Sequence, residues 1–171
     1  MVRNALVLVL LLGGAVAARG QDMPLAQILI SGEGWKKVDS AGPRPSAGGP
    51  PTTLSRDRST VFSWQPGEWF LHAAQVPPKG EPISRAPYAP LRLGIGAKDT
   101  EVTSLTTDRD GRIYAATPVG IQVFDPTGRL CGVVQPPAAG KTEHLAFDGD
   151  QLTVWVGEVK YSRMLRTKGV K

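Results

Sequence analysis

The chain has 171 residues, which is enough for one domain of ordinary size. Its formal net charge is +5, but the basic residues are scattered and are not grouped with aromatic residues on one element, which argues against nucleic-acid binding. The sequence contains a single cysteine, Cys131, so no intramolecular disulfide can form, and we expect a small buried side chain there rather than a reactive thiol.

The N-terminus has the layout of a secretory signal peptide. Arg3 provides a basic start, apolar residues run from Ala5 to Leu12, and Ala15-Val16-Ala17 offers a cleavage site of small residues. An uncleaved anchor is the less favoured alternative, because the apolar run falls short of the roughly 20 residues that span a bilayer. We therefore expect an exported protein, periplasmic or secreted, with no stable membrane span after cleavage.

The remaining chain alternates short apolar runs with glycine and proline. An amphipathic segment over 23–38 predicts a strand entering the domain, and the Pro/Gly-rich stretch 39–53 predicts a linker or surface loop. A second Pro-rich stretch, 76–93, reads as an insertion, and the basic C-terminus "RMLRTKGVK" reads as a solvated tail. No window suits a long helix, so the pattern predicts an all-β chain. The predicted divisions are a signal peptide at 1–17, an entering strand and linker at 18–53, and β-repeats at 54–171.

Three segments align on one aspartate and suggest an internal repeat. The aligned residues are Asp57, Asp110 and Asp150, which are 53 and 40 positions apart, and each precedes an apolar pair that starts a strand: Val61-Phe62, Ile113-Tyr114 and Val154-Trp155. We expect the aspartate to accept backbone N–H bonds in a tight turn, and Gly111 to take a positive φ. Such spacing suits the four-stranded blades of a β-propeller, with chance similarity among sandwich hairpins as the alternative.

One stretch resembles a known family. "LTTDRDGRIYAATPVGIQVFDPTGRLCGVV" is similar to the penultimate blade of the gluconolactonase and regucalcin-like (senescence marker protein) family, and "EHLAFDGDQLTVWVGEVKYSRML" to its closing blade. "LSRDRSTVFSW" resembles another blade more faintly. The clear similarity covers about 65 residues, from Val102 to Arg166. Because the family has six blades, the resemblance implies a partial β-propeller of about three four-stranded blades, matching the C-terminal portion.

The resemblance also implies a metal site, which this sequence departs from. Family members hold one divalent cation in the central channel with a Glu, two Asn and an Asp, and the cation helps to open lactone rings. Thr103 stands at the position of the Asp and Pro50 at that of one Asn, while Glu33 occurs too early for a safe match to the Glu. We therefore expect no metal ligands here, and a cation such as Ca or Zn only if lactonase chemistry is retained.

The candidate pocket residues are Thr103, which the resemblance places at the position of the metal-binding Asp, and Glu143 and His144, which occupy the corresponding channel-end position of the last repeat. A Glu-His pair at a blade edge is more often a surface feature than a metal site, and His72 reads as a satisfied strand residue. No Gly-x-Ser-x-Gly, His-Glu-x-x-His or phosphate-cradling loop occurs, since Gly140-Lys141-Thr142 lacks the upstream glycine.

Three blades in place of six leave blade faces without neighbours. A second copy could close the ring, the Pro-rich segments could cap the arc, or the gene could be a decayed fragment. We expect an exported module with a degenerate metal site and a binding or structural role, for which a small sugar-type ligand is one possible partner. The alternative is a metal-dependent lactone hydrolase whose site is completed in a homodimer.

Overall fold

The computed structural model describes residues 24–39, 45 and 48–170, and in this part of the chain all extended secondary structure falls into three four-stranded antiparallel sheets. The first sheet contains β2 (Thr52–Leu54), β3 (Thr60–Ser63), β4 (Phe70–Gln75) and β5 (Ile83–Pro90). The middle sheet contains β6 (Ser104–Thr107), β7 (Ile113–Thr117), β8 (Gly120–Phe124) and β9 (Leu130–Val134). The last sheet contains β10 (Thr142–Asp148), β11 (Gln151–Val156) and β12 (Val159–Met164), with β1 (Lys36–Lys37) as its outer strand.

The sheets are arranged as consecutive blades. Their first strands, β2, β6 and β10, lie side by side, and each sheet then continues outward as an antiparallel meander. This arrangement is that of propeller blades around a shared channel, with one strand of each blade innermost. The predicted all-β fold with three four-stranded blades is confirmed. The predicted signal peptide lies outside the described residues, and none of the helical segments within them has the length and apolarity to cross a membrane.

The middle sheet is buried on both faces because its strands alternate. Ile113 and Ala115 pack towards the first sheet, whereas Tyr114 and Ala116 of the same strand pack towards the last sheet. Successive side chains of a strand point to opposite faces, so a strand between two sheets is apolar throughout. The two interfaces form two separate cores, and the middle sheet contributes to both.

The segment before the first sheet differs from the predicted strand. Leu25–Gln27 form a 3₁₀ turn, Ile28 is buried in the core between the middle and last sheets, and only Lys36–Lys37 are extended. Gly32 has a φ of +77°, which interrupts the extended chain before β1. β1 then pairs with β12, so the N-terminal segment completes the last blade rather than the first.

The second Pro-rich stretch is part of a blade and not an insertion. It supplies β5, the outer strand of the first sheet, which pairs with β4 alone. Pro87 and Pro90 are tolerated there because an edge strand has backbone N–H groups that no neighbouring strand needs. The pairing is irregular, with register shifts after Leu71 and after Ala73.

The blade turns depend on aspartate, although the middle blade uses a different one from the aligned residue. Asp57 accepts the N–H of Ser59 at 3.1 Å, as predicted, and hydrogen bonds from the Ser55 hydroxyl and from Ser59 lower its pKa to about 2. In the middle blade Asp108 accepts the N–H groups of Asp110 and Arg112, while Gly111 has the predicted positive φ, +85°. The turn role assigned to Asp110 therefore belongs to Asp108.

The C-terminal segment 165–170 is a strap rather than a solvated tail. Leu165, Thr167 and Gly169 are buried, while the alternating Arg166 and Lys168 are exposed. Its backbone bonds reach three places: Arg166 N–H donates to Ile28 O, Arg109 N–H to Lys168 O, and Gly169 N–H to Gly149 O. The strap thus joins the N-terminal segment to the turns of the middle and last sheets.

Candidate functional site

A cavity of about 900 Å³ lies where the three innermost strands begin. Pro51 directly precedes β2, Thr103 directly precedes β6, and Glu143 is the second residue of β10. The turns built on Asp57 and Asp108 follow the other ends of β2 and β6, so the cavity and these turns lie at opposite ends of the arc. The described lining residues are Pro45, Gly49, Pro51, Trp64, Pro66, Gly67, Asp99, Thr100, Glu101, Val102, Thr103, Pro118, Lys141 and Glu143.

Trp64 forms a fixed apolar wall of the cavity. Its side chain is 5% exposed, and its indole N–H donates to the backbone carbonyl of Glu68 at 2.8 Å. The hydroxyl of Thr100 donates to the same carbonyl, which ties the segment before β6 to the β3–β4 loop. Because Trp64 is buried and its indole N–H is bound to the backbone, the fold sets the orientation of this side chain before any ligand binds.

Thr103, one of the candidate pocket residues, lines the cavity, and its hydroxyl has a structural partner. The hydroxyl donates to the backbone carbonyl of Thr142 in the neighbouring blade, and a longer contact of 3.4 Å reaches the carbonyl of Ala116. One residue later, the hydroxyl of Ser104 accepts the N–H of Leu145 at 3.0 Å. The start of β6 is therefore joined to β10 by two side chains.

Three carboxylates line the cavity, and sequence reasoning had found one of them. Glu143 was predicted, whereas Asp99 and Glu101 were not. Glu101 forms an ion pair with Lys141, 2.5 Å between oxygen and nitrogen, and both side chains are about half exposed. An exposed pair of this kind contributes about 0–1 kcal/mol to stability. The cavity is therefore acidic, with one ammonium group at its rim.

The two histidines lie outside the cavity lining. His144 follows Glu143 on β10, where the pairing with β11 is irregular between Thr142 and His144, and burial lowers the pKa of His144. His72 lies on β4, where its Nδ1 is 3.2 Å from a carboxylate oxygen of Glu68 without the geometry of a hydrogen bond. Burial opposes ionisation of Glu68, but hydrogen bonds from Arg85 and the Gln65 backbone lower its pKa. The structure thus unites Thr103 with Glu143 and leaves His144 apart.

Comparison with solved structures identifies the fold. No family model matches the sequence, and no curated protein matches it. A gluconolactonase from Xanthomonas campestris superposes with a TM-score of 0.56 at 24% identity, over 68% of this chain and 37% of that one. The calcium-binding regucalcin of Agrobacterium tumefaciens superposes with a TM-score of 0.56 at 18% identity, over 70% of this chain and 46% of that one. A luciferin-regenerating enzyme superposes with a TM-score of 0.58 at 17% identity, over 71% of this chain and 47% of that one. The fold is that of the gluconolactonase-type propeller.

The chain spans less than half the length of these solved structures. At such identities the likeness is one of fold.

The described residues do not reproduce the metal ligands that the resemblance assigns to a gluconolactonase-type propeller. Thr103 uses its hydroxyl in a contact between blades, and Glu33 is 2.5 Å from Lys36 and does not line the cavity. Pro50 has no side-chain oxygen. Among the described residues no group of three or more His, Cys, Asp or Glu side chains is arranged to hold a metal ion. This donor set does not fit the family's divalent cation.

Sequence reasoning missed several lining residues because they lie in loops. Trp64 and Pro66 belong to the β3–β4 loop, and Asp99 to Val102 to the segment before β6. Their positions in the repeat are a weak sequence signal, because each either precedes an inner strand or follows the second strand of a blade. In a propeller the loops at these two positions lie at the channel end. The sequence places Lys141 in a Gly-Lys-Thr loop that lacks the features of a phosphate site, and nothing local to that loop indicates that Lys141 borders the cavity.

Proposed function

We propose that the chain is an exported gluconolactonase-like propeller module that binds a small organic ligand at the channel end and lacks the family's metal site. The observation that carries the proposal is Thr103, which lines the cavity at the expected metal position but donates its hydroxyl to the Thr142 carbonyl. Export rests on the N-terminal pattern "MVRNALVLVLLLGGAVA".

The cavity supports a binding role by its size and lining. Small-molecule sites enclose about 300–1,000 Å³ and combine apolar walls with a few polar groups. The cavity here measures about 900 Å³ and combines the buried Trp64 and several prolines with three carboxylates. A ligand of ordinary metabolite size would contact all three blades, since each contributes to the lining.

The chemistry of the lining argues against tight binding of a hard divalent cation. Calcium takes six to eight oxygen ligands and favours carboxylates and carbonyls. The Thr142 carbonyl oxygen already accepts the Thr103 hydroxyl, and Glu101 is paired with Lys141. Thr103 therefore closes the contact between two blades at the place where a carboxylate ligand would be needed.

The proposal is tested by metal content and lactone hydrolysis, each with and without a chelator. We expect the purified wild-type chain to contain no stoichiometric Ca or Zn and to show no chelator-sensitive turnover of a sugar lactone. Thr103→Asp serves as the matched variant, because it places a carboxylate at the position of the missing ligand, and it should bind calcium more tightly than the wild type. Chelator-sensitive turnover by the wild type would contradict the proposal.

The second candidate is a lactone hydrolase completed by a second copy of the chain. Leu54 and Phe70 are 38% and 41% exposed, and strand alternation points both away from the middle sheet, because their neighbours Thr53 and Leu71 face it. An uncovered apolar blade face favours a partner. Analytical ultracentrifugation decides the matter: a dimer with chelator-sensitive activity supports this candidate, and a monomer that melts cooperatively excludes it.

A further inference from the structure

We propose that the cavity at the channel end selects a small organic cation, an amine or guanidine attached to an apolar group. The inference rests on the proposed ligand-binding function and deepens it by naming the class of ligand. Three features of the cavity carry it: the sign of its charge, the scarcity of free hydrogen-bond donors in its lining, and its aromatic and proline walls.

The described lining of the cavity has a formal charge opposite in sign to that of the whole chain. The described lining contains three carboxylates, those of Asp99, Glu101 and Glu143, and one ammonium, that of Lys141, which gives a formal charge of −2. The whole chain has a formal charge of +5. A concave site lined by one sign of charge raises the local concentration of ligands of the opposite sign, and it repels ligands of its own sign.

The hydrogen-bonding groups of the lining point to the same class of ligand. The hydroxyls of Thr100 and Thr103 donate to the backbone carbonyls of Glu68 and Thr142, and the indole N–H of Trp64 also donates to Glu68. These protons are committed within the protein, and the ammonium of Lys141 is held by Glu101. The side chains of the described lining are therefore rich in acceptors and poor in free donors, which suits a ligand that brings N–H donors of its own.

Asp99 is the group best placed to receive the cation. Asp99 lines the cavity, and its carboxylate makes no ion pair or hydrogen bond with any described residue. The next residue, Thr100, is fixed to the Glu68 carbonyl, so the backbone that carries Asp99 is anchored. The apolar part of the ligand would lie against Trp64, whose ring also attracts a cation placed over its face.

The test compares three probes that share a phenethyl group and differ in its polar end, on the full chain: phenethylamine, phenethyl alcohol and 3-phenylpropionate. Binding is measured by isothermal titration calorimetry at low salt. We expect the amine to bind, the alcohol to bind at least fivefold more weakly, and the carboxylate to show no binding. Added calcium chloride should affect the amine no more than sodium chloride of equal ionic strength.

The variant Asp99→Asn should weaken amine binding about two- to fivefold, the range expected for one exposed charge pair. Asp148→Asn is the matched control, because Asp148 is an exposed carboxylate at the end of β10 remote from the cavity, and it should leave the affinity unchanged. An unchanged affinity in Asp99→Asn would overturn the assignment of the anchor.

The remaining outcomes separate this inference from the proposed function. If the alcohol or the carboxylate binds as well as the amine, the cation preference is wrong while the ligand-binding function stands. Specific displacement of the amine by calcium would make the cavity a metal site and overturn both. If none of the probes binds, the inference is wrong, and the metal and lactone assays then decide the function independently.

Discussion

At the residue scale, the most constrained group is the carboxylate of Asp108. It is fully buried and accepts hydrogen bonds from Nη1 of Arg112 at 3.0 Å and from the hydroxyl of Tyr114 at 2.9 Å, besides two backbone N–H groups. Burial and the neighbouring Asp108 carboxylate raise the pKa of Tyr114. Burial disfavours the charged form of Arg112, but its bonds to Asp110 and Asp108 outweigh this and raise its pKa. One carboxylate therefore holds together a buried arginine, a buried tyrosine and the turn of the middle blade.

Asp108→Asn should destabilise the protein by about 3 kcal/mol, because removal of one member of a buried ion pair leaves the other charge poorly compensated. Of its two carboxylate partners, Arg112 would retain only Asp110, whose side chain is 56% exposed. Urea unfolding followed by circular dichroism measures the change. In Asp148→Asn, where the carboxylate is exposed, stability should stay within about 0.5 kcal/mol of the wild type. Equal stabilities for the two variants would contradict the structural role of Asp108.

At the element scale, neighbouring blades are joined by hydroxyl groups on their inner strands. The Thr107 hydroxyl of β6 donates to the Leu54 carbonyl of β2 at 2.7 Å, while Thr103 and Ser104 make the corresponding bonds to β10. The core side chains supply most of the burial between blades. The hydroxyl bonds are directional and add specific links between neighbouring inner strands.

Thr107→Val should lower the free energy of unfolding by about 1–2 kcal/mol. The near-isosteric valine cannot donate the hydrogen bond, so the Leu54 carbonyl loses this donor at a site where Thr107 is only 4% exposed. Thr106→Val is the matched control on the same strand, since the Thr106 hydroxyl makes no hydrogen bond to a described residue. Both substitutions keep a β-branched side chain, so strand propensity is unchanged. Chemical denaturation compares the two, and a control as unstable as Thr107→Val would refute the role of the bond.

At the scale of the whole molecule, the two ends of the described chain hold the arc together. β1 completes the last sheet, and the strap 165–170 bonds to Ile28 near the N-terminus and to the turns at Arg109 and Gly149. The strap passes close to Phe147: a Cβ added at Gly169 would lie 2.1 Å from the Cβ of Phe147. The interface between the middle and last sheets is thus secured at the end remote from the cavity.

Gly169→Ala should lower the melting temperature by roughly 3–10 °C, because overpacking costs about 1–3 kcal/mol and each kcal/mol is worth about 2–4 °C in a domain of this size. Gly34→Ala is the control: its backbone does not require a positive φ, and an added Cβ meets nothing within 4 Å. Differential scanning calorimetry measures both. If Gly169→Ala melts at the same temperature as the control, the strap can move away from Phe147 without loss of stability, and the prediction is wrong.

The local sequence pattern was sufficient to predict the strands and turns of the blades. In β7 the run Ile113–Thr117 alternates between two cores, and Gly111 takes the positive φ that its turn requires, because strand periodicity and turn geometry depend on neighbouring residues. Local pattern was not sufficient to choose between Asp108 and Asp110, since burial beside Arg112 and Tyr114 decides which one closes the turn. Thr103 and Glu143 were proposed from the resemblance and from the repeat, and the structure places both in the lining of the cavity.

The tertiary structure alone decided which distant segments meet. The pairing of Lys36 with Ser162, the burial of the strap and the conversion of a Pro-rich stretch into β5 each depend on surfaces that exist only once the sheets have formed. The cavity is of the same kind, because Trp64, Asp99 and Lys141 come from three separate loops that have no common pattern in sequence. Sequence periodicity specifies which face of a strand is apolar, whereas contacts between loops follow from the packing of one blade on the next.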